Sequence, residues 1–415
     1  MSPTAKSLTA AAALLAATGS ILFGAMMRDR VDVGGANSLD AFPSGGMLTS
    51  NSKEVPEGDY FYEITNLLKQ RYVEKVTDEQ KLALGAIRGM VASLGDLDSY
   101  YLEKDEYAIH SKMRQGQYEG IGAQLELIDT DAENPKTQAT GQPIDPEEAV
   151  LGPFRLPKVV VVAIVPSGPA DKAGVKVGDY VEYIGDHWVP NIETVKEYRK
   201  LNDNFAKGKV TWEQLSKVRL ELTNRMKKIL QPPKAREKLL AGQTGSLHIV
   251  WKRGKDSLPT DIALAPSRLA EFSDVDNVIQ LRFAPGVDKE LKQAIDGKSE
   301  ITIDLRNNAN GLSTSMRDCL EALVPKGSYG TIAVAKRTLP LEIKEGNSQP
   351  PKITLLVDKS TRGAAEVFAD VLVQAGVAKL EGGPTAGHRV LVEDYPLPDG
   401  SGYTLAVGIY KGGAK

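Results

Sequence analysis

A strand-to-helix turn near the C-terminus has the outline of a hydrolase nucleophile site. The stretch VDKSTRGAAEVFADVLVQAG, residues 357–376, predicts a strand, a tight turn at Gly363 and a helix, the arrangement in which many hydrolases present a nucleophile. Arg362, Gly363 and the two alanines that follow carry no hydroxyl or thiol, so this turn cannot form an acyl-enzyme. A second turn, TAGHRV, places His388 25 positions after Gly363. His388 could act as a base only if a hydroxyl reached it, and the sequence places none there.

The cysteine and the other histidines show no spacing typical of a metal site or a disulfide. Cys319 is the only cysteine, and the other three histidines, His110, His187 and His248, are far from one another in sequence and have no metal-ligand spacing. A disulfide within the chain and a cysteine-based metal site are therefore excluded. The formal net charge is −3 and the charges are spread out, unlike a nucleic-acid footprint. We predict no metal, no cofactor and no nucleic-acid partner.

The N-terminal segment predicts export. An uncharged run from Ser7 to Met27 follows Lys6 and precedes Arg28 and Arg30. As a helix it would be ~31 Å long, close to the thickness of a bilayer core. Residues 7–27 fit an uncleaved membrane anchor or a signal peptide, with VGGAN as a weak cleavage site. We expect a periplasmic or otherwise extracytoplasmic protein, anchored in the membrane by this segment.

The elements that must position the two turns form an α/β pattern. A chain of 415 residues, with 41% hydrophobic and 25% charged residues, is expected to fold as two or three domains. From Val278 onward strands and helices alternate, which predicts a layer with a largely parallel sheet. Between residues 192 and 240 the chain is charged and helical, with a capping box at Thr211–Gln214. The apolar stripe that follows predicts the inner face of a local helical hairpin or, alternatively, a partner-binding surface: Leu215, Val218, Leu222, Met226 and Ile229.

Three separated segments resemble the carboxyl-terminal processing (tail-specific) proteases, serine proteases with an embedded PDZ domain. The segment AIRGMVASLGDLDSYYLEKDEY is similar to the family's connection between N-terminal helices and PDZ domain. YEGIGAQ and VVVVAIVPSGPADKAGVKVGDYVEYIGD are similar to its PDZ core. ITIDLRNNANGL, LLVDKSTRGAAEVFADVL and DGSGYTLAVGIY are similar to its catalytic domain. The order and spacing of these segments carry the resemblance.

The resemblance implies a degenerate catalytic site. The family has a serine nucleophile at the turn, a lysine base 25 positions later and a supporting glutamine four positions beyond. These positions hold Gly363, His388 and Val392 here, although Glu366, Thr385 and Gly387 still align. The oxyanion segment Asn-Pro-Gly-Gly becomes Asn-Ala-Asn-Gly at residues 308–311. The resemblance then implies oxyanion-like backbone donors at Asn310 and Gly311, and at Ala364 after the turn. Arg362 is expected to project into or near the old cleft, whereas Ser360 and Thr361 are expected to point elsewhere.

The PDZ resemblance also rests on the physics of the loop at residues 119–123. Glycines allow successive N–H groups to converge, so Gly120, Ile121, Gly122 and Ala123 predict a nest for a C-terminal carboxylate. A bound tail would then add a strand beside residues 122–127. The alternative is that these glycines only form a strand-entry turn.

The resulting fold class is multidomain α/β, with N-terminal helices, a PDZ-like β domain and an α/β catalytic-type domain. The predicted boundaries are a signal peptide or anchor at 1–30, a linker at 31–58, helices at 59–115, a PDZ-like domain at 116–191 and 241–266, a helical insertion at 192–240, and the catalytic-type domain at 267–415.

The predicted function is that of an inactive tail-specific protease homologue in the cell envelope. It would bind protein C-termini, or would pair with itself or with an active paralogue through its helices. The alternatives are an active serine-type processing endopeptidase with relocated catalytic residues, and hydrolysis by a water that His388 activates.

Overall fold

A computed structural model describes residues 57–73, 78–128, 156–242, 244–309, 311–335 and 337–412. The predicted anchor, most of the linker and the stretch 129–155 lie outside these ranges. In the described part of the chain no helix is both long and apolar enough to cross a membrane. The chain divides into two compact units, residues 1–77 and 78–415.

The described residues form ten helices and eighteen strands. The helices are α1 Glu57–Arg71, α2 Glu79–Ser93, α3 Lys104–Arg114, α4 Pro169–Lys172, α5 Ile192–Ala206, α6 Trp212–Met226, α7 Pro232–Leu240, α8 Val287–Ile295, α9 Ser313–Leu323 and α10 Ala364–Gln374. The first eight strands are β1 Tyr100–Leu102, β2 Gln117–Tyr118, β3 Ala123–Ile128, β4 Lys158–Ile164, β5 Tyr180–Ile184, β6 His187–Trp188, β7 Ser246–Arg253 and β8 Asp256–Ala263. The remaining strands are β9 Ser267–Arg268, β10 Phe272–Val275, β11 Val278–Leu281, β12 Glu300–Asp304, β13 Gly327–Val334, β14 Arg337–Ile343, β15 Lys352–Val357, β16 Ala378–Gly382, β17 Val390–Pro396 and β18 Gly402–Lys411.

Helix α1 is the described element of the first unit. Three apolar side chains in or just after this helix, those of Ile64, Leu67 and Tyr72, are more than half exposed. The helix lies largely within the helices predicted at 59–115, but these three side chains are not part of a buried core.

An antiparallel sheet forms the domain predicted to be PDZ-like. Its strand order is β3-β4-β5-β7-β8, with β6 paired to β5, so β3 lies at one edge. Because side chains alternate along a strand, Ala123 and Leu125 enter the core of this sheet, and Gln124 and Glu126 face away from it.

Helix α7 corrects the predicted boundary of the helical insertion. Ala235 and Leu239 of α7 are fully buried in the core of the β3–β8 sheet, so this helix belongs with the sheet. Helices α5 and α6 form the local hairpin that the apolar stripe predicted, and Thr211 and Gln214 make the predicted capping box. Leu215 is the stripe residue that becomes buried in α6.

The C-terminal region contains two sheets. In the order β10-β11-β12-β15-β16, the last three pairings are parallel and the β10–β11 pairing is antiparallel. Helices α8, α9 and α10 share its core through residues such as Leu291, Leu320 and Phe368. This layer confirms the predicted α/β architecture.

The second C-terminal sheet is antiparallel and was not predicted. Its order is β1-β18-β13-β14, with β17 also paired to β18. Strand β1 lies in the region predicted as helices at 59–115, and it pairs Tyr100 with Thr404. The stretch at residues 100–102 thus completes a sheet of the C-terminal region, which brings residues 95–99 to the two candidate turns.

Candidate functional site

The first candidate turn has a glycine at its tip and therefore no side chain that could act as a nucleophile. It connects β15 to α10, and Gly363 at the N-cap has φ 58° and ψ −123°. Such values are strained for any residue with a Cβ, but glycine adopts them readily. A Cβ built on Gly363 would meet only the carbonyl oxygen of Val390, at 3.3 Å. The turn is therefore open on the side where a catalytic side chain would project.

The two hydroxyl residues before Gly363 are fully buried and committed to the fold. Thr361 Oγ1 donates to the Leu305 carbonyl at 3.1 Å, and Ser360 Oγ accepts from the Asn307 N–H at 2.6 Å. As predicted, neither hydroxyl replaces the missing nucleophile.

A buried carboxylate joins this turn to the second one. Glu366, on the first turn of α10, is 1% exposed. It accepts hydrogen bonds from Thr385 Oγ1 at 2.5 Å, from the Gly387 N–H at 2.7 Å and from the His388 N–H at 2.6 Å. The Gly363 N–H closes the connection by donating to the His388 carbonyl at 2.8 Å. These contacts hold the turn at Gly363 and the turn at His388 together.

The imidazole of His388 is oriented by a carboxylate that sequence reasoning missed. Asp98 Oδ1 lies 2.9 Å from His388 Nε2, and both side chains are about three-quarters buried. Asp98 precedes β1, and the pairing of β1 with β18 places it there. Nothing in the local sequence around Asp98 signals this long-range contact.

The predicted oxyanion residues are only partly described. Asn310 lies outside the described residues. The neighbouring Gly311 packs against Phe283, whose ring would be 2.7 Å from a Cβ at Gly311. Ala364 is the first residue of α10, and an N–H at this position has no acceptor within its own helix. Gly311 and Ala364 line the same cavity.

That cavity has a volume of about 720 Å³ and unites the predicted positions. Gly363, His388 and Val392 all line it. Residues 124–128 of β3 also line it, together with Arg236 and Leu240 of α7. The edge strand of the antiparallel sheet and the nucleophile turn therefore face one continuous space.

Known proteins share this architecture. Residues 268–412 match peptidase family S41, and residues 43–106 match the activating protease CtpB N-terminal domain. The chain is 25% identical over 391 residues to the carboxy-terminal processing protease CtpA of Bacillus subtilis (strain 168), covering 90% of this chain and 70% of CtpA. It is 25% identical over 350 residues to CtpB of the same organism, covering 82% of this chain and 61% of CtpB. The solved photosystem II D1 C-terminal processing protease has the same fold, with a TM-score of 0.53 and 18% identity over 86% of this chain and 89% of that one.

Residues 268–412 form a peptidase family S41 domain. The predicted resemblance to the carboxyl-terminal processing proteases is thereby confirmed. Within this S41 domain, the position that the family resemblance assigns to the nucleophile holds Gly363, in the backbone conformation described above. The position that the family resemblance assigns to the lysine base holds a histidine bound to Asp98.

Arg362 lines the same cavity, next to Gly363. Its side chain is 12% exposed, and one terminal nitrogen lies 2.7 Å from Glu126 Oε2 on β3. Its Nε is buried without a hydrogen-bond partner among the described residues. Arg362 thus lies at the cavity, and its ionic partner lies on β3 of the antiparallel sheet.

The loop predicted to hold a carboxylate uses its N–H groups inside the protein. The Gly120 N–H donates to Gly242 O at 2.7 Å, and the Ile121 N–H donates to Leu239 O at 3.0 Å. The Gly122 N–H donates to Glu119 O at 3.3 Å, and Ala123 begins β3. The physical reason is that the carbonyls at the end of α7 need donors. In this structure the alternative interpretation, a strand-entry turn, is the correct one.

A buried charge cluster braces the cavity wall beside the S41 turn. Arg114 of α3 makes two hydrogen bonds to Asp394 of β17, at 2.9 and 3.0 Å, and His110 Nε2 lies 3.0 Å from the same carboxylate. Burial lowers the pKa of His110. Burial alone would raise the pKa of Asp394, but His110 and Arg114 outweigh it and lower this pKa to about 2. Arg114 also contacts Gly311 O at 3.4 Å, so the cluster supports the oxyanion segment.

Proposed function

We propose that the chain is a non-catalytic homologue of the carboxyl-terminal processing proteases that binds polypeptide tails. The observation that carries this proposal is Gly363, which occupies the predicted nucleophile turn. Its backbone has the positive φ that strains other residues, and it supplies no side-chain atom for covalent attack. The surrounding scaffold is retained through Glu366, so loss of cleavage does not require loss of the fold. A protein of this kind holds a polypeptide where a protease would cut it.

The cavity offers a physical mode of binding. Strand β3 is at the edge of its sheet, and its residues form one wall while α7 contributes to the other. An extended polypeptide can add to such an edge by main-chain hydrogen bonds, with its side chains in apolar pockets. This is the geometry by which PDZ-like domains take up tails. We therefore place the bound tail beside β3, running toward Gly363.

The cellular setting is part of the proposal. The apolar run at residues 7–27 supports an exported protein that is anchored in the membrane. Binding of envelope proteins by their tails, self-association, or pairing with an active paralogue through the helical segments all agree with such a location. Co-purification from membranes, with and without the α5–α6 hairpin, distinguishes a paralogue partner from a tail ligand.

A second candidate function, hydrolysis by an activated water, is favoured by the His388–Asp98 pair. A carboxylate that orients a histidine is an arrangement found in general-base catalysis. Ser313 also lines the cavity, and it is the hydroxyl to test for a relocated nucleophile.

A peptidase assay decides between these functions. The full chain is incubated with an unstructured peptide that ends in apolar residues, with an active family member as positive control. We expect binding without cleavage. Cleavage that His388→Ala abolishes would establish water activation and refute the non-catalytic proposal. Cleavage that Ser313→Ala abolishes would instead identify a relocated serine.

A further inference from the structure

The groups that could recognise a tail carboxylate are not those expected from the loop at residues 119–123. Three of the four predicted N–H donors, on Gly120, Ile121 and Gly122, already donate to carbonyls of the chain. The contact is close, because a Cβ on Gly120 would lie 2.1 Å from Leu239 O. A carboxylate arriving here would have to displace the end of α7. The negative charge of a tail therefore needs another partner.

Three arginines line the cavity, and they differ in the contacts that their guanidinium groups make. Arg114 makes two hydrogen bonds to Asp394. Arg236 lies over the ring of Tyr100, 4.4 Å from its centroid. Arg362 has one ion pair, to Glu126, and a buried Nε without a partner in the described residues. A guanidinium carries five donors in a fork that matches a carboxylate, so Arg362 retains the capacity for a second oxygen ligand.

The position of Arg362 suits the end of a tail. It precedes Gly363, where a Cβ would meet only Val390 O, so the space of the missing nucleophile side chain is free for a ligand. Its partner Glu126 lies on β3, the strand beside which the tail would run. A carboxylate that replaces Glu126 at Arg362 keeps the buried cation paired, which avoids the large cost of an isolated buried charge.

We propose that Arg362 binds the terminal α-carboxylate of the polypeptide tail, with Glu126 as the internal carboxylate that it displaces. This inference rests on the proposed tail-binding function and names its recognition group. The ligand class is a polypeptide with a free C-terminus and apolar last residues, because Val390, Val392 and Val407 line the same cavity. The tail carboxylate would thus bind beside Gly363, in the cavity where the family resemblance places the cleavage site.

The test is the affinity of the full chain for a labelled unstructured peptide ending in two valines, as the free acid and as the amide. We expect the free acid to bind about tenfold to a hundredfold more tightly, the range for hydrogen bonds to a charged group. Arg362→Gln should remove this preference, and Arg362→Lys should keep part of it. Glu126→Gln should raise affinity for the free acid, since it removes the internal competitor. The matched control is Arg317→Gln, at an exposed arginine on α9, which should change neither affinity.

Each outcome bears on the inference. Equal binding of acid and amide by the unaltered chain, or a preference that survives Arg362→Gln, overturns it while leaving tail binding intact. Absence of binding to both peptides, or their cleavage, overturns the proposed function itself. If Arg362→Gln does not fold, as judged by circular dichroism, Glu126→Gln decides: weaker binding of the free acid by this variant refutes the displacement.

Discussion

Replacing Gly363 by alanine tests whether the nucleophile turn is held in its strained conformation. The backbone at Gly363 has φ 58° and ψ −123°, a region that costs an L-residue about 1–3 kcal/mol. The added Cβ would also lie 3.3 Å from Val390 O, tighter than an ordinary contact. Gly363→Ala should therefore destabilise the fold by about 1–3 kcal/mol, which lowers the midpoint of thermal unfolding by about 2–10 °C.

The assay is thermal unfolding followed by circular dichroism, with Gly85→Ala as the matched control. Gly85 lies inside α2, has no atom within 4 Å of a built Cβ and shows no positive φ. Alanine is favoured over glycine inside a helix by about 1 kcal/mol, so this control should be neutral or stabilising. If Gly363→Ala unfolds at the same temperature as the unaltered chain or above it, the turn does not hold this conformation and the reasoning fails.

Three further predictions concern the same site. Glu366→Gln should lower the unfolding temperature by several degrees, because the buried carboxylate that accepts three hydrogen bonds loses its charge. A hydrogen bond to a charged group contributes at most about 1.5–3 kcal/mol to stability. The exposed control Glu381→Gln should have almost no effect, and equal effects of the two substitutions would contradict this prediction. Because the pKa of Asp394 is lowered to about 2, its ionised form contributes about 2 kcal/mol above pH 4 that is lost as the pH falls toward 2. The stability difference between Asp394→Asn and the unaltered chain, measured by unfolding at several pH values, should therefore shrink over that window, and a constant difference would refute it. Combining Gly363→Ser with His388→Lys should produce slow cleavage of an unstructured peptide, because the backbone scaffold is retained; activity equal to that of the unaltered chain would show that the scaffold no longer supports the chemistry.

Local sequence signals predicted individual elements well. Helix α9, Ser313–Leu323, lies in the region where alternating strands and helices were predicted, because apolar spacing is a local signal. The capping box at Thr211 was equally visible, since both partners lie within one turn. Strand β1 was missed because three residues carry no period, and only the hydrogen bonds from β18 make them a strand.

The assignment of α7 shows a different limit. Its sequence continues the charged helical stretch that begins at residue 192, so composition alone joined it to the insertion. What separates it is the burial of Ala235 and Leu239 in the core of the antiparallel sheet. Hydrophobic spacing predicts that a helix has an apolar face, but it does not say which surface covers that face.

The sequence by itself determined that the turn at residue 363 has no nucleophilic side chain at its tip, because glycine has no side chain in any fold. It also determined the two turns and their separation, since strand and helix patterns are local. The tertiary structure decided which groups meet there: Asp98 reaches His388, Glu126 pairs with Arg362, and the loop at residues 119–123 caps α7. These contacts join residues that are far apart in the chain, and only packing of the sheets against one another brings them together.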